Sequence, residues 1–383
     1  MRILLRLFPL WLALTSLLVG AAPAHASVGA GGPRLAEPGL VVGAPLTPET
    51  PVPKFPKNPA EAYLVADLTT GEVLAAKNAY RKLHPASTQK ALVALALLPR
   101  LDPELRYTAR RSDTQVEGTK IGLIVGRKYR VDALMHALMI ESGNDAGMAL
   151  ANAAGGLPAA LKIINAEARR IQALGTVVKN PHGLNATGQY TTAYDLALVA
   201  KAGLARPDFA KIVGTNKYTF RDQGTKPRYR TVYNHNRLLP KYRGMVGVKN
   251  GYTRAAGNTY VGAASRDGRT IVVTLLRLTP NYSRDQVATS MLNWGFAAAG
   301  KVEPVGMLAD PIGPAFDEKI ETEVATFVKS MATEAEESLP TPVKMVAIPV
   351  ALVALLRARV LIRKRIRRQR RKRQLQRTNP IRS

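Results

Sequence analysis

Strand-length apolar runs stand at both ends of the stretch 59–300, and what lies between them reads as helix. Residues 62–67 and 72–75 look like two strands joined around Thr69-Thr70-Gly71, a hairpin with a glycine turn. Near the other end, 245–249, 259–265 and 270–278 read as strands, with Asp267-Gly268 as the turn between the last two. In the middle, Pro85-Ala86-Ser87 opens a helix whose Ala/Leu run, 91–98, stops before Pro99. That run is apolar all round, which predicts a buried helix. A second helical block, 131–153, is interrupted near Ser142-Gly143-Asn144; a third spans 193–202, and a helix over 284–299 closes the domain. The Met135, Leu138, Met139 stripe reads as core packing. Strands first, helices in the middle and strands last imply one antiparallel sheet with a helical cluster beside it, a single α+β domain.

The flanks differ in composition. Residues 1–26 have a charged start, an apolar run from Leu7 to Gly20 and small residues at Ala24 and Ala26, the pattern of a secretory signal peptide. A first membrane helix competes, but needs about 20 apolar residues. Residues 27–58 are rich in Gly, Pro and Ala and read as a flexible lead; 301–342, with several prolines and acids, reads as a stalk. The formal charge is +28, yet residues 357–382 hold 13 Lys or Arg and no acid, which leaves +15 for the rest. An apolar run at 346–356 precedes that cluster. Apolar stretch followed by arginines is the positive-inside pattern of one membrane span, here 343–362, with 363–383 as a basic cytoplasmic tail. A basic amphipathic helix lying on the surface is the competing reading. The expected location is therefore the outer face of the cytoplasmic membrane, and nucleic acid is not an expected partner, since no recognition motif is present. Cysteine is absent, so an exported fold must rest on core burial alone.

Three short motifs carry the chemistry. Ser87-Thr88-Gln89-Lys90 is S-x-x-K, Ser142-Gly143-Asn144 is S-x-N, and Lys249-Asn250-Gly251 follows at intervals of 55 and 107 residues. On a helix, positions three apart share a face, so the Ser87 hydroxyl can meet the Lys90 amine. A serine is a weak nucleophile until a base takes its proton. A lysine serves as that base when burial and a neighbouring cation depress its pKa. Ser142 is placed to relay a proton to a leaving amine, Asn144 to bind a substrate amide and steady Lys90, and Lys249 to supply positive charge. Gly251 leaves room for substrate along its strand, and the Tyr252 N–H is a candidate second oxyanion donor beside that of Ser87.

With these motifs, and with Ile121-Gly122-Leu123, Glu141 to Ala146, Asn180-Pro181-His182-Gly183-Leu184, Tyr194-Asp195-Leu196-Ala197 and Gly251-Tyr252-Thr253 in register, the chain resembles the D-alanyl-D-alanine carboxypeptidases, low-molecular-mass penicillin-binding proteins of the S11 serine peptidase type. The resemblance covers roughly 60–300. It implies a β-lactamase/transpeptidase-like fold and removal of the terminal D-alanine from peptidoglycan stem peptides through an acyl-enzyme on Ser87, with inhibition by β-lactams. It implies no cofactor. A metal site is not expected either, because His25, His84, His136, His182 and His235 have no ligand spacing. His84 is near Ser87 in sequence, but a triad would also need a positioned acid, and Lys90 fills the base role.

Two departures matter. Asn250 stands where the family keeps a threonine that helps hold the substrate carboxylate; the alternative it raises is a weakened or inactive homologue kept for binding the cell wall. A class A β-lactamase reading fails on the deacylating glutamate, since Glu167 is the only glutamate between Ser142 and Lys249 and its flank does not match E-x-x-L-N.

Overall fold

The computed structural model describes residues 31–317 apart from 223, 224 and 228. The expected signal peptide (1–26), membrane span (343–362) and basic tail (363–383) lie outside the described residues, as does the expected stalk from 318 onward. In chain order the described elements are β1 (Leu40–Val42), β2 (Ala62–Asp67), β3 (Glu72–Lys77), α1 (Lys90–Leu97), β4 (Arg106–Thr108), α2 (Arg111–Thr114), β5 (Lys128–Arg130) and α3 (Val131–His136). There follow α4 (Asn144–Ala153), α5 (Leu157–Arg170), α6 (Ala193–Leu204), α7 (Pro207–Val213), β6 (Lys217–Arg221) and β7 (Tyr229–Tyr233). The chain then runs through β8 (Met245–Thr253), β9 (Gly257–Arg266), β10 (Arg269–Leu278), α8 (Arg284–Ala298) and β11 (Gly306–Met307).

The two sequence-distant strand sets meet at β2 and β10, which pair antiparallel with Val65 opposite Val273. The resulting antiparallel sheet runs β1-β3-β2-β10-β9-β8, with β11 also on β3, seven strands among the described residues. Both faces are covered. Tyr63, Val65 and Val273 pack with Met291, Leu292 and Trp294 of α8, while Leu64, Ala66 and Val272 pack with the helical cluster. Every residue of β2 is accordingly buried, which is why it reads as a continuous apolar run rather than an alternating one. Helix α1 is buried along its whole length, as its all-apolar face pattern requires. The fold is thus α+β, one antiparallel sheet with a helical cluster, as the order of elements implied.

Two boundaries need correction. The expected flexible lead is built into the domain: Leu35 and Val41 are buried, β1 pairs with β3 through Val41 and Ala76, and Trp294 donates from its indole Nε1 to Pro53 O at 2.9 Å. The first part of the expected stalk is also docked. Gly306 pairs with Val73, Val302, Val305 and Leu308 are buried, and Arg206 binds Asp317 at 3.0 Å. The physical reason is the open edge of β3, whose unpaired N–H and C=O groups need partners. The lead covers one half of that edge and the trailing segment the other. Sequence reading also left 157–170, 207–213 and the β6–β7 hairpin without elements; α5 is an amphipathic helix whose N-terminus is fixed by Pro158.

Candidate active site

Ser87 sits on a 3-10 turn, Ala86–Gln89, that runs directly into α1 at Lys90. In a 3-10 turn side chains three apart eclipse, so Ser87 and Lys90 meet: Lys90 Nζ lies 2.8 Å from Ser87 Oγ. The same nitrogen lies 2.8 Å from Asn144 Oδ1 and 2.6 Å from His182 O. Lys90 is fully buried, and its pKa is held well below the ordinary lysine value, first by burial and then by the Lys249 ammonium, against a weaker pull from Asp145. A neutral amine has two N–H donors and one lone pair. The donors are taken by Asn144 Oδ1 and His182 O, which leaves the lone pair for the Ser87 proton.

Ser142 ends a π turn, Ala137–Glu141, in a left-handed conformation (φ 68°, ψ 29°), and Gly143 then opens α4. This is the interruption that the sequence placed at Ser142-Gly143-Asn144. It brings Asn144 to Lys90 and holds Ser142 two residues away, nearly buried. Asn144 is itself fixed: its Nδ2 donates to Glu117 O at 2.6 Å and its backbone N–H to Thr119 O at 2.8 Å. The buried Asp145 carboxylate accepts backbone N–H groups of Ile121, Gly122 and Leu123 at 2.9–3.1 Å. A loop that carries no chemistry of its own thereby positions the residue that steadies the base.

The third motif lies on β8, the edge strand of the sheet, which pairs Lys249 with Val261 and Gly251 with Thr259. Lys249 is buried, donates to Asn250 O at 2.9 Å, and has its pKa lowered to about 7 by burial and by Arg284. Gly251 presses on the serine turn. A β-carbon there would come within 2.5 Å of Ser87 N and 2.7 Å of Thr259 Oγ1, so glycine is required. Tyr252 exposes its ring and contributes backbone to the free edge. Asn250 lines a cavity of about 520 Å³ with Arg284, His235 and Asn234.

Several residues with work to do here were missed by sequence reading. Arg284, first residue of α8 after the N-cap Ser283, faces the Asn250 cavity and lies 5.5 Å over the Tyr260 ring; nothing local in the sequence marks it. His182 acts through its carbonyl, and its imidazole pKa is lowered to about 4 by burial and by Lys90, so no second cation crowds the base. Gly183 has φ 85° and lies so close to Ala86 O that a side chain is excluded; a glycine after His182 was the available signal. Glu167 lies on α5, where Arg170 holds its carboxylate at 2.7 Å. His84 is exposed and makes no part of the Lys90 cluster.

Comparison with known proteins agrees with this geometry. The family model for D-alanyl-D-alanine carboxypeptidase, peptidase S11, matches residues 49–277. The D-alanyl-D-alanine carboxypeptidase DacB2 of Mycobacterium tuberculosis is 38% identical over 262 residues, 66% of this chain and 88% of that protein. DacF of Bacillus subtilis is 32% identical over 62% of each chain. Among solved structures, a D-alanyl-D-alanine carboxypeptidase from M. tuberculosis H37Rv superposes with a TM-score of 0.63 at 34% identity, covering 70% of this chain and 99% of that one. The Streptomyces K15 DD-transpeptidase superposes with a TM-score of 0.62 at 28% identity, covering 64% of this chain and all of its own.

Proposed function

The chain belongs to the D-alanyl-D-alanine carboxypeptidase family of S11 serine peptidases, and we propose that it trims peptidoglycan stem peptides by an acyl-enzyme on Ser87. The observation that carries this is the 2.8 Å approach of a buried, deprotonation-prone Lys90 amine to Ser87 Oγ. Substrate adds as a strand along the free edge of β8. The terminal carboxylate enters the Asn250 cavity, where Arg284 and Lys249 meet its charge. Lys90 takes the Ser87 proton as Oγ attacks the penultimate D-Ala carbonyl. The backbone N–H groups of Ser87 and Tyr252 bind the oxyanion. Ser142 passes a proton to the departing D-alanine nitrogen, leaving the peptidyl ester on Ser87. Water, deprotonated in turn by Lys90, cleaves that ester.

A β-lactam carbonyl undergoes the same attack, but ring opening leaves the amine tethered. Arg170 holds the Glu167 carboxylate, so that glutamate does not activate water against the ester, and the drug adduct should persist. The assembled nucleophile and base speak against the alternative of an inactive wall-binding homologue. For location, the reading is an exported domain held at the outer face of the cytoplasmic membrane by its tail, supported by the apolar and arginine-rich sequence of 343–383.

D-alanine release from a pentapeptide, together with intact mass after benzylpenicillin, tests the activity. The expected result is released D-alanine and one added drug mass, lost in Ser87→Ala; an unmodified wild-type mass sinks the acyl-enzyme. Protease added to intact spheroplasts should digest the domain and spare an epitope after Arg373, whereas loss of both would favour a surface-lying tail.

A further inference from the structure

Ser142 stands in the left-handed region (φ 68°, ψ 29°), a conformation that strains any residue with a β-carbon and persists only where the surroundings enforce it. The motif is gripped on both sides by carboxylates, Glu141 before it and Asp145 after it. Asp145 accepts the backbone N–H groups of Ile121, Gly122 and Leu123 at 2.9–3.1 Å. Glu141 reaches the same loop through Arg230: Arg230 Nη2 lies 3.3 Å from Glu141 Oε1, and Arg230 Nη1 donates to Ile121 O at 2.9 Å. A further contact comes from His235, whose Nε2 lies 3.8 Å from Glu141 Oε2. The His235 backbone N–H also donates to Ile140 O at 3.1 Å.

Both partners of Glu141 are anchored away from the motif. Arg230 lies on β7 opposite Phe220 of β6, and the Phe220 ring stacks on Tyr129 at 5.3 Å. His235 is flanked by two fixed asparagines. Asn234 Nδ2 donates to Val213 O and Thr215 O at 3.1 and 3.0 Å, and Asn236 Oδ1 accepts from the Tyr260 hydroxyl at 2.9 Å. The Glu141 side chain is only 15% exposed, so its contacts are screened less than those of a surface pair. Ser142 can leave the left-handed region only by turning the peptide that joins it to Glu141, and that turn pulls the carboxylate from Arg230 and His235. A shift near 1 Å in a reacting group costs on the order of 10²-fold in rate.

We propose that Glu141, braced by Arg230 and His235, is a positioning residue that holds Ser142 where its proton reaches the departing nitrogen. The proposal rests on the peptidase reading above, and the leaving group isolates it. With a peptide, Ser87 Oγ bonds the carbonyl carbon, the C–N bond breaks, the nitrogen takes the Ser142 proton, and the Lys90 ammonium restores that proton. With a thiolester analogue carrying D-thiolactate in the last position, the C–S bond breaks instead. The thiolate leaves with the electron pair and takes no proton, and Lys90 keeps the one from Ser87. The test measures kcat/KM of the full-length protein for a pentapeptide ending in D-Ala-D-Ala and for its thiolester analogue. The ratio is read within each preparation, so any loss of folded enzyme cancels, and hydrolysis of the shared acyl-enzyme does not enter. Ser142→Ala sets the full size of the effect. Glu141→Ala should lower the peptide-to-thiolester ratio about tenfold, part of the roughly 10²–10⁴-fold that a positioned proton donor supplies. Glu141→Gln, whose amide oxygen still accepts from Arg230 and His235, should restore most of the ratio. Arg230→Ala should lower it as well, and adding that change to Glu141→Ala should lower it no further. A ratio unchanged in Glu141→Ala or in Ser142→Ala, or a double variant whose loss is the product of the single losses, overturns the brace and leaves the peptidase reading standing. Cleavage of neither substrate by wild type overturns the peptidase reading and this proposal with it.

Discussion

Replacing Gly251 by alanine should disable acylation while leaving a folded protein. The added methyl would stand 2.5 Å from Ser87 N, 2.7 Å from Thr259 Oγ1 and 3.0 Å from Ala86 Cβ. Ordinary contact begins near 3.4 Å, so β8 and the serine turn must separate by about 0.9 Å. Neither side yields easily. The turn is locked through Thr259 Oγ1 and Thr88 Oγ1, both donating to Pro85 O, and β8 is paired along its length with β9. Overpacking of this kind costs ~1–3 kcal/mol of stability, a fall of roughly 2–4 °C per kcal/mol in Tm. The catalytic cost is larger, because the gap opens between the two oxyanion donors, and a shift near 1 Å costs on the order of 10²-fold. Stopped-flow acylation by a chromogenic cephalosporin, with Tm measured on the same samples, separates the two effects. An acylation rate within about threefold of wild type would show that the Ser87 and Tyr252 N–H groups do not act as a rigid pair.

Lys90→Met keeps the buried volume but removes the base, so acylation of Ser87 should fall by about 10²–10⁴-fold with circular dichroism unchanged; retained labelling would exclude Lys90 as the base. Asn250→Thr should raise kcat/KM for the pentapeptide by up to about tenfold, within the ~1.5–3 kcal/mol of a charge-assisted hydrogen bond, with KM responding at least as much as kcat; a lower efficiency would mean that asparagine is the adapted residue. Stability should rise with pH above neutrality. Folded Lys249 titrates near 7 against 10.5 for an ordinary lysine, and Lys90 is lowered too, so between those values the unfolded chain binds more protons and folding gains up to ~1.4 kcal/mol per pH unit per lysine. Tm should therefore climb from about pH 7 to 9, below the range where tyrosines titrate near 10; a falling Tm would mean that these lysines are charged in the folded state.

The local sequence determined what neighbouring residues can decide between themselves. The Ser87–Lys90 pair follows from a spacing of three on one turn, the break at Ser142 from a helix that cannot continue through Ser142-Gly143, and the α+β class from the order of apolar runs. Only the tertiary structure decided matters of long-range proximity. Arg284 joins Asn250 because α8 begins beside β8, and no pattern around Ser283-Arg284 encodes that meeting. The His182 carbonyl and the Asp145 carboxylate serve the site through hydrogen bonds to residues 92 and 22–24 positions away. The lead and trailing segments were misread for the same reason. Their Gly/Pro-rich composition describes a chain without a structure of its own, while their order comes from the free edge of β3, which no local pattern in those segments contains.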